Sequence, residues 1–221
     1  MAGDGTGEVW CVVVAAGSGS RFGGPKHLAE LRGRTVLQRS IDVARRCADG
    51  VVVVVAPGSD VGVDGADVVV AGGDSRSTSV SNGLAAVPAG AEVVLVHDAA
   101  RPLASGSLFA RVVEAVRDGA DAAVPVVTVV DTIRDLDGGT VDRDRLRAVQ
   151  TPQGFRAAAL RAVHARGAEA TDDAALVEAD GGTVALVEGE RANLKITEPA
   201  DLDVAAALLD RAAASGGDSA S

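Results

Sequence analysis

Five valines in a row at 51–55 are the feature of this sequence that most restricts its fold. β-Branched side chains on both faces of one strand suit a strand covered on both sides, as in a parallel sheet between helix layers. Other largely apolar runs recur at 10–14, 68–70, 93–96, 122–126 and 183–187. Between them lie helical patterns. Thr35 and Gln38 form a capping box ahead of an inward face made by Val36, Leu37, Ser40, Ile41 and Ala44. Further helices are expected at 107–117, 155–164, 172–179 and 198–213, and one opens after Gly72-Gly73-Asp74. Strands alternating with helices predict an α/β fold with a doubly wound, mostly parallel sheet. Ligands of such sheets sit beyond the carboxyl ends of the strands. A chain of 221 residues can form one domain burying roughly 70% of its extended surface, placed here at 1–213. Residues 214–221, small and polar, are expected to be a disordered tail.

The texture changes after Val126. Residues 127–135 read as extended, Asp137-Gly138-Gly139 as a hairpin turn, and 140–149 as the returning strand. A two-stranded ribbon is too small to stand alone, so this β-arm at 127–149 is expected to project and pack against a second subunit. The alternative is a hairpin on the sheet edge of a monomer.

Charge and composition exclude several partners. A net charge of -10 opposes nucleic acid and anionic membranes, and 2% aromatics with no tyrosine leave little for bases to stack on. The first residues have no basic start or long apolar stretch, and no apolar run reaches spanning length, so a cytoplasmic protein is expected. Cys11 and Cys47 lack metal-ligand spacing and read as reduced core thiols.

An acidic protein that handles anions must gather its cations locally, which makes their positions informative. After the first strand comes Ala15-Ala16-Gly17-Ser18-Gly19-Ser20-Arg21, followed shortly by Lys26. Small residues let backbone N–H groups approach an anion, and two cations in the same loop point to a triphosphate cradle. It is neither a dinucleotide fingerprint, whose third glycine is misplaced, nor a P-loop, since no Ser or Thr follows Lys26. The loop at 72–79 reads locally as a Ser/Thr-capped helix after a glycine turn. Its functional reading is base recognition, with Gly73, Asp74 and the Ser79 hydroxyl addressing a pyrimidine edge. In His97-Asp98-Ala99-Ala100-Arg101, Asp98 can hold a hydroxyl or a hydrated Mg²⁺, while Arg101 can take a phosphate or pair with Asp98. His97 reads as a packed histidine. Lys26 and Lys195 are the only lysines, and Lys195 lies between Leu194 and Ile196, on the face opposite to theirs.

Taken in order, AAGSGSRFGGPKHL, GGDSRSTSV, VHDAARP, DTI, TPQGF, TDDA and NLKIT closely resemble the 2-C-methyl-D-erythritol 4-phosphate cytidylyltransferases. The resemblance implies a Rossmann-like nucleotidyltransferase fold, CTP and Mg²⁺, and a homodimer joined through a projecting β-arm. It implies backbone contacts to CTP from Ala15, Ala16 and Gly17, with Gly73, Asp74 and Ser79 reading cytosine. Arg21 and Lys26 would stabilise the transition state, and Lys195 with Arg143 would position the acceptor phosphate. Asp98, Ala99 and Arg101 would lie near ribose, metal and acceptor. Thr132 and Thr171 would add acceptor contacts, Thr132 and Arg143 reaching in from the partner's arm. The metal would be held mainly by the CTP phosphates, with Asp98 the one protein candidate. Rival readings are a cytidylyltransferase for another alcohol phosphate, such as ribitol 5-phosphate, and a catalytically silent nucleotide-binding regulator.

Overall fold

The computed structural model describes residues 7–17, 19–167, 169–170 and 172–217. In chain order its first half holds β1 (Val9–Val14), the small hairpin β2 (Glu30–Leu31) and β3 (Arg34–Thr35), α1 (Val36–Cys47), β4 (Gly50–Val55) and β5 (Val68–Ala71). These are followed by α2 (Arg76–Ala85), β6 (Val93–Asp98), α3 (Gly106–Arg117) and β7 (Ala122–Thr128). The remainder holds β8 (Ile133–Asp135), β9 (Gly139–Val141), β10 (Arg147–Val149), β11 (Gln153–Arg156), α4 (Ala157–Ala165), α5 (Asp173–Ala179), β12 (Val184–Glu188) and α6 (Ala200–Gly217).

β5, β4, β1 and β6 lie side by side and parallel. β11 then runs antiparallel to both β6 and β7, and β12 pairs in parallel with β7. The valine runs of β1, β4 and β6 are buried on both faces because successive side chains enter different cores, whereas edge strand β5 leaves Val69 exposed. Cys11, Val13, Val53 and Leu95 pack with α1 and α3, whereas Val12, Val52, Val54, Val94 and Val96 pack with α2, α4 and α5. A third cluster joins Leu31 and Val36 to Ile196 and Ala205, seating α6 against the small hairpin. Register sets the location of the site. Val14 pairs with Val54 on one side and Asp98 on the other, so the loops after β1, β5 and β6 leave the same end of the sheet.

Three expectations are corrected. Phe155 belongs to β11 and not to a helix, which starts only at Ala157. The slot between β6 and β7 pulls this segment into the sheet, and Phe155 becomes fully buried there. α6 continues to Gly217, so residues 214–217 are helical; Ala212, Ala213 and Ala214 carry it on, alanine being the best helix former. Residues 218–221 lie outside the described ones. At Thr35 only half of the capping box forms. Its hydroxyl accepts from Gln38 N, but the Gln38 side chain turns to Asp42 and to the Asp64 carbonyl.

The segment after Val126 forms a ribbon of paired strands. β10 returns to pair with β7, while β8 and β9 pair with each other in a separate two-stranded sheet. Its tip exposes Leu136 almost completely, at 98%. Both cysteines are free thiols, Cys11 buried and Cys47 half-buried. Among the described residues no helix is long and apolar enough to cross a membrane.

Candidate active site

A cavity of about 490 Å³ opens where the loops leave the sheet. The loop after β1 contributes Val14 to Gly17, and the turn after it Lys26 and His27. The loop after β5 and the start of α2 supply Gly73, Asp74, Ser75, Arg76 and Ser79; Asp98, Ala99, Ala100 and Lys195 complete the wall.

Two glycines shape these loops. Gly19 has φ +66, and a Cβ there would stand 2.0 Å from the Gly24 carbonyl oxygen, so only glycine permits the fold-back that presents Lys26. A Cβ on Gly72 would meet the Ala16 Cβ at 2.5 Å and the Ser79 Oγ at 2.8 Å, which shows how closely the two pocket loops approach. The Ser79 hydroxyl is engaged within its own loop, accepting from Gly73 N at 3.1 Å and donating to the Ser75 carbonyl at 2.8 Å. It therefore sets the shape of the Gly73 turn. The Ser75 side chain caps α2 by accepting from Thr78 N.

The strand β6 delivers Asp98, and a stitched loop brings Lys195 to it. Ile196 N bonds the Ala100 carbonyl at 2.8 Å, Arg101 donates to the Asn193 carbonyl at 2.7 Å, and Asn193 Nδ2 donates to the Thr151 carbonyl at 2.9 Å. Leu194 and Ile196 turn into the third core cluster, so Lys195 faces the cavity and donates to Asp98 at 2.6 Å. Lys26 Nζ donates to the Ile196 carbonyl at 2.8 Å, which brings both lysines of the chain to one wall.

Their electrostatics follow from this crowding. Burial and then the Lys195 charge hold the Lys26 pKa below that of an ordinary lysine. Burial alone would raise Asp98, but Lys195, Arg76 and Arg101 outweigh it and hold the carboxyl below its usual range. Arg76 Nε is 3.9 Å from Asp98, and its Nη1 is 2.6 Å from Asp173. Burial opposes the Arg76 charge, yet Asp173 and Asp98 raise its pKa above the usual value.

Of the expected site residues, the cavity collects Ala15, Ala16, Gly17, Lys26, Gly73, Asp74, Ser79, Asp98, Ala99 and Lys195. Arg21 is exposed on the short helical turn Ser20–Phe22, outside the lining, though its charge is felt at Lys26. Arg101 is also outside the lining, and its guanidinium donates to the Asn193 and Val149 carbonyls. Thr132 and Arg143 are exposed on the arm, with Arg143 bonded to the Val130 carbonyl. Thr171 lies outside the described residues. His97 is fully buried, between Thr151 Oγ1 and the Arg101 carbonyl and tilted against Phe109; burial lowers its pKa to about 4, so it is a packed neutral ring.

Sequence reasoning missed His27, Ser75 and Arg76. Arg76 had a signal: it is the first residue of α2, where the helix dipole disfavours a cation unless an anion faces it. His27 had none beyond its place next to Lys26. Among the described residues, no group of three or more His, Cys, Asp or Glu could hold a metal ion.

The family model for 2-C-methyl-D-erythritol 4-phosphate cytidylyltransferase matches residues 9–211. The chain is 46% identical over 224 residues to the 2-C-methyl-D-erythritol 4-phosphate cytidylyltransferase of Rhodococcus jostii, covering 95% of this chain and 99% of that one. It is 45% identical to the protein of that name from Thermus thermophilus, covering 91% and 97%. Among solved structures, a Thermus thermophilus 2-C-methyl-D-erythritol 4-phosphate cytidylyltransferase superposes with a TM-score of 0.80 at 42% identity, covering 90% of this chain and 98% of that one. The 4-diphosphocytidyl-2C-methyl-D-erythritol synthase of Anaerococcus prevotii gives 0.78 at 29% identity, covering 92% and 99%.

Proposed function

The chain belongs to the 2-C-methyl-D-erythritol 4-phosphate cytidylyltransferase family, and from that premise we propose how its residues divide the work of moving CMP from CTP to 2-C-methyl-D-erythritol 4-phosphate. The activity is a step of isoprenoid precursor synthesis that releases pyrophosphate and forms 4-diphosphocytidyl-2-C-methyl-D-erythritol. An oxygen of the acceptor phosphate attacks the α-phosphorus of CTP. The new O–P bond forms as the bond from the α-phosphorus to its pyrophosphate oxygen breaks, and pyrophosphate leaves with the electron pair. The attacking oxygen is already anionic at neutral pH, so no general base is required, and the buried neutral His97 is not asked to serve as one. The barrier is repulsion between two anions, which positioned cations lower.

The observation that carries this reading is the meeting of Lys26 and Lys195 at one cavity wall of an otherwise acidic chain. Lys26, with Arg21 at the lip, is assigned to the α-phosphate and the leaving pyrophosphate. Lys195 is assigned to the acceptor phosphate. Ala15, Ala16 and Gly17 would lie along the triphosphate, and the turn at Gly73 and Asp74, fixed by Ser79, would meet cytosine. Arg101 braces the Lys195 loop through Asn193 and is assigned with it to the acceptor side of the pocket. A magnesium ion fits this pocket as one carried on the triphosphate, because Asp74 and Asp98 are the carboxylates of the lining and Asp98 is already engaged. Bound there, it would shield the phosphate oxygens, with Asp98 the side chain to reach it. Thr132 and Arg143 stand on the projecting arm, outside this chain's pocket lining, which supports a homodimer whose arms complete each other's sites.

Incubating the protein with CTP and either 2-C-methyl-D-erythritol 4-phosphate or ribitol 5-phosphate, and following pyrophosphate release, tests the acceptor. Release is expected with the first; preference for the second would overturn that assignment. Binding of CTP without release would favour the silent regulator.

Two further results are expected. Gly72→Ala pushes the loop against Ala16 and Ser79, and overpacking of this kind typically costs about 1–3 kcal/mol; KM for CTP should rise about tenfold. An unchanged KM would place the nucleotide elsewhere. The second concerns pH. Lys26 must be protonated to act and its pKa is lowered, so its contribution is lost as pH rises, earlier than for an ordinary lysine. The alkaline fall of kcat/KM for CTP should move to higher pH in Lys26→Arg, since arginine keeps its charge there. A limb that stays in place would assign it to another group.

A further inference from the structure

Asp98 faces a difficulty that the reaction itself creates. Its carboxylate is largely enclosed, and its close partner is Lys195 at 2.6 Å. If Lys195 turns to the acceptor phosphate, Asp98 loses that partner just as a second anion enters the pocket. A buried carboxylate without a counter-ion is strongly disfavoured. Arg76 is the guanidinium of the lining that faces it, at 3.9 Å. What keeps Arg76 there lies beneath the pocket. Asp173, completely buried on the first turn of α5, receives Arg76 Nη1 at 2.6 Å on one oxygen and faces His164 Nε2 of α4 at 3.1 Å with the other. The helix dipole favours an acidic side chain in the first turn of α5, but complete burial of that carboxylate requires partners that hold its charge. Its burial is accounted for by what it holds: Asp173 is kept ionised, below the usual carboxylate range, because the His164 hydrogen bond and the Arg76 charge outweigh burial.

We propose that Asp173 is a positioning residue for the reaction, pinning Arg76 within reach of Asp98 so that Asp98 keeps a cationic partner when Lys195 is drawn to the acceptor phosphate. A row of alternating charge, Asp173, Arg76, Asp98 and Lys195, thus runs to the cavity wall, with His164 hydrogen-bonded to Asp173 at its inner end. This rests on the assignment of Lys195 to the acceptor. A consequence distinguishes it from simple scaffolding: the benefit of Asp173 passes through Asp98, so it should vanish when Asp98 carries no charge.

The test is a double-mutant cycle by steady-state kinetics with CTP and 2-C-methyl-D-erythritol 4-phosphate on the full chain, folding being followed by thermal melting. Asp173→Asn is expected to lower kcat/KM for the acceptor by about tenfold or more and to change KM for CTP by less than about threefold. In an Asp98→Asn background the same substitution should cost less than about threefold further. Losses that multiply in the double variant, or that fall equally on both substrates, would overturn the proposal. Should Asp173→Asn melt early, Arg76→Gln probes the same link with the same expected signature, and Arg76→Lys should recover part of the loss. Failure of Arg76→Lys to recover any activity, with Arg76→Gln multiplicative with Asp98→Asn, would count against it as well. A Lys195→Ala variant with an unaltered acceptor KM would remove the premise, a result read without any change at position 173 and so separable from failure of the Asp173 link.

Discussion

Lys26→Ala is expected to lower turnover at least about a hundredfold while leaving the fold intact, a loss of about 2.7 kcal/mol or more in transition-state stabilisation. The Lys26 ammonium sits at the cavity wall with one hydrogen bond to the Ile196 carbonyl, so its truncation removes one contact from the structure. Its stability effect has a definite sign. The folded-state pKa of Lys26 is lowered relative to the unfolded chain, chiefly by burial, so the charged lysine disfavours folding at neutral pH. Removing it should leave the melting temperature unchanged or slightly raised. Lower activity without lower stability is the mark of a group held at a cost because the reaction needs it. Near-normal turnover in Lys26→Ala would contradict its role, and a parallel loss of stability would turn the effect into one on folding.

Lys195→Ala is expected to cost at least about a hundredfold in kcat/KM for the acceptor, with the loss concentrated on that substrate rather than on CTP. Two effects combine. The acceptor phosphate loses the cation assigned to it, and Asp98 loses its 2.6 Å partner, leaving Arg76 as the nearer of its remaining cations. Isothermal titration with CTP separates the two substrates: nucleotide affinity should change far less than acceptor kinetics. An acceptor KM that stays normal would show that Lys195 pairs with Asp98 for structural reasons alone.

Much of this architecture could be read from the chain. The apolar runs located the strands β1, β4, β6 and β7 because burial on both faces demands apolar, β-branched residues, and that demand leaves a plain trace. β11 left no such trace. Gln153, Gly154, Phe155 and Arg156 have neither alternation nor β-branching, and they form a strand because β6 and β7 leave a slot between them. The same division holds at the site. Loops that leave parallel strands at one end must meet, so Gly17, Gly73, Asp98 and Lys26 were legible from strand order and loop composition. Which atoms are free for a ligand was not legible, since that depends on partners distant in sequence. Ser79 read as a base contact and also bonds Gly73 and Ser75; Arg101 read as a phosphate contact or a partner of Asp98 and also bonds Asn193 and Val149. Arg76 was hidden for the converse reason, because its partners Asp98 and Asp173 lie on two other elements.

The most direct test of this account is a crystal structure of the protein with CTP and magnesium bound. The triphosphate is expected along Ala16 and Gly17 with Lys26 at the α-phosphate, cytosine at the Gly73 turn, and Lys195 on the open side where the acceptor must arrive. A triphosphate bound away from Lys26, or a nucleotide seated with Lys195 turned from its α-phosphate, would contradict it.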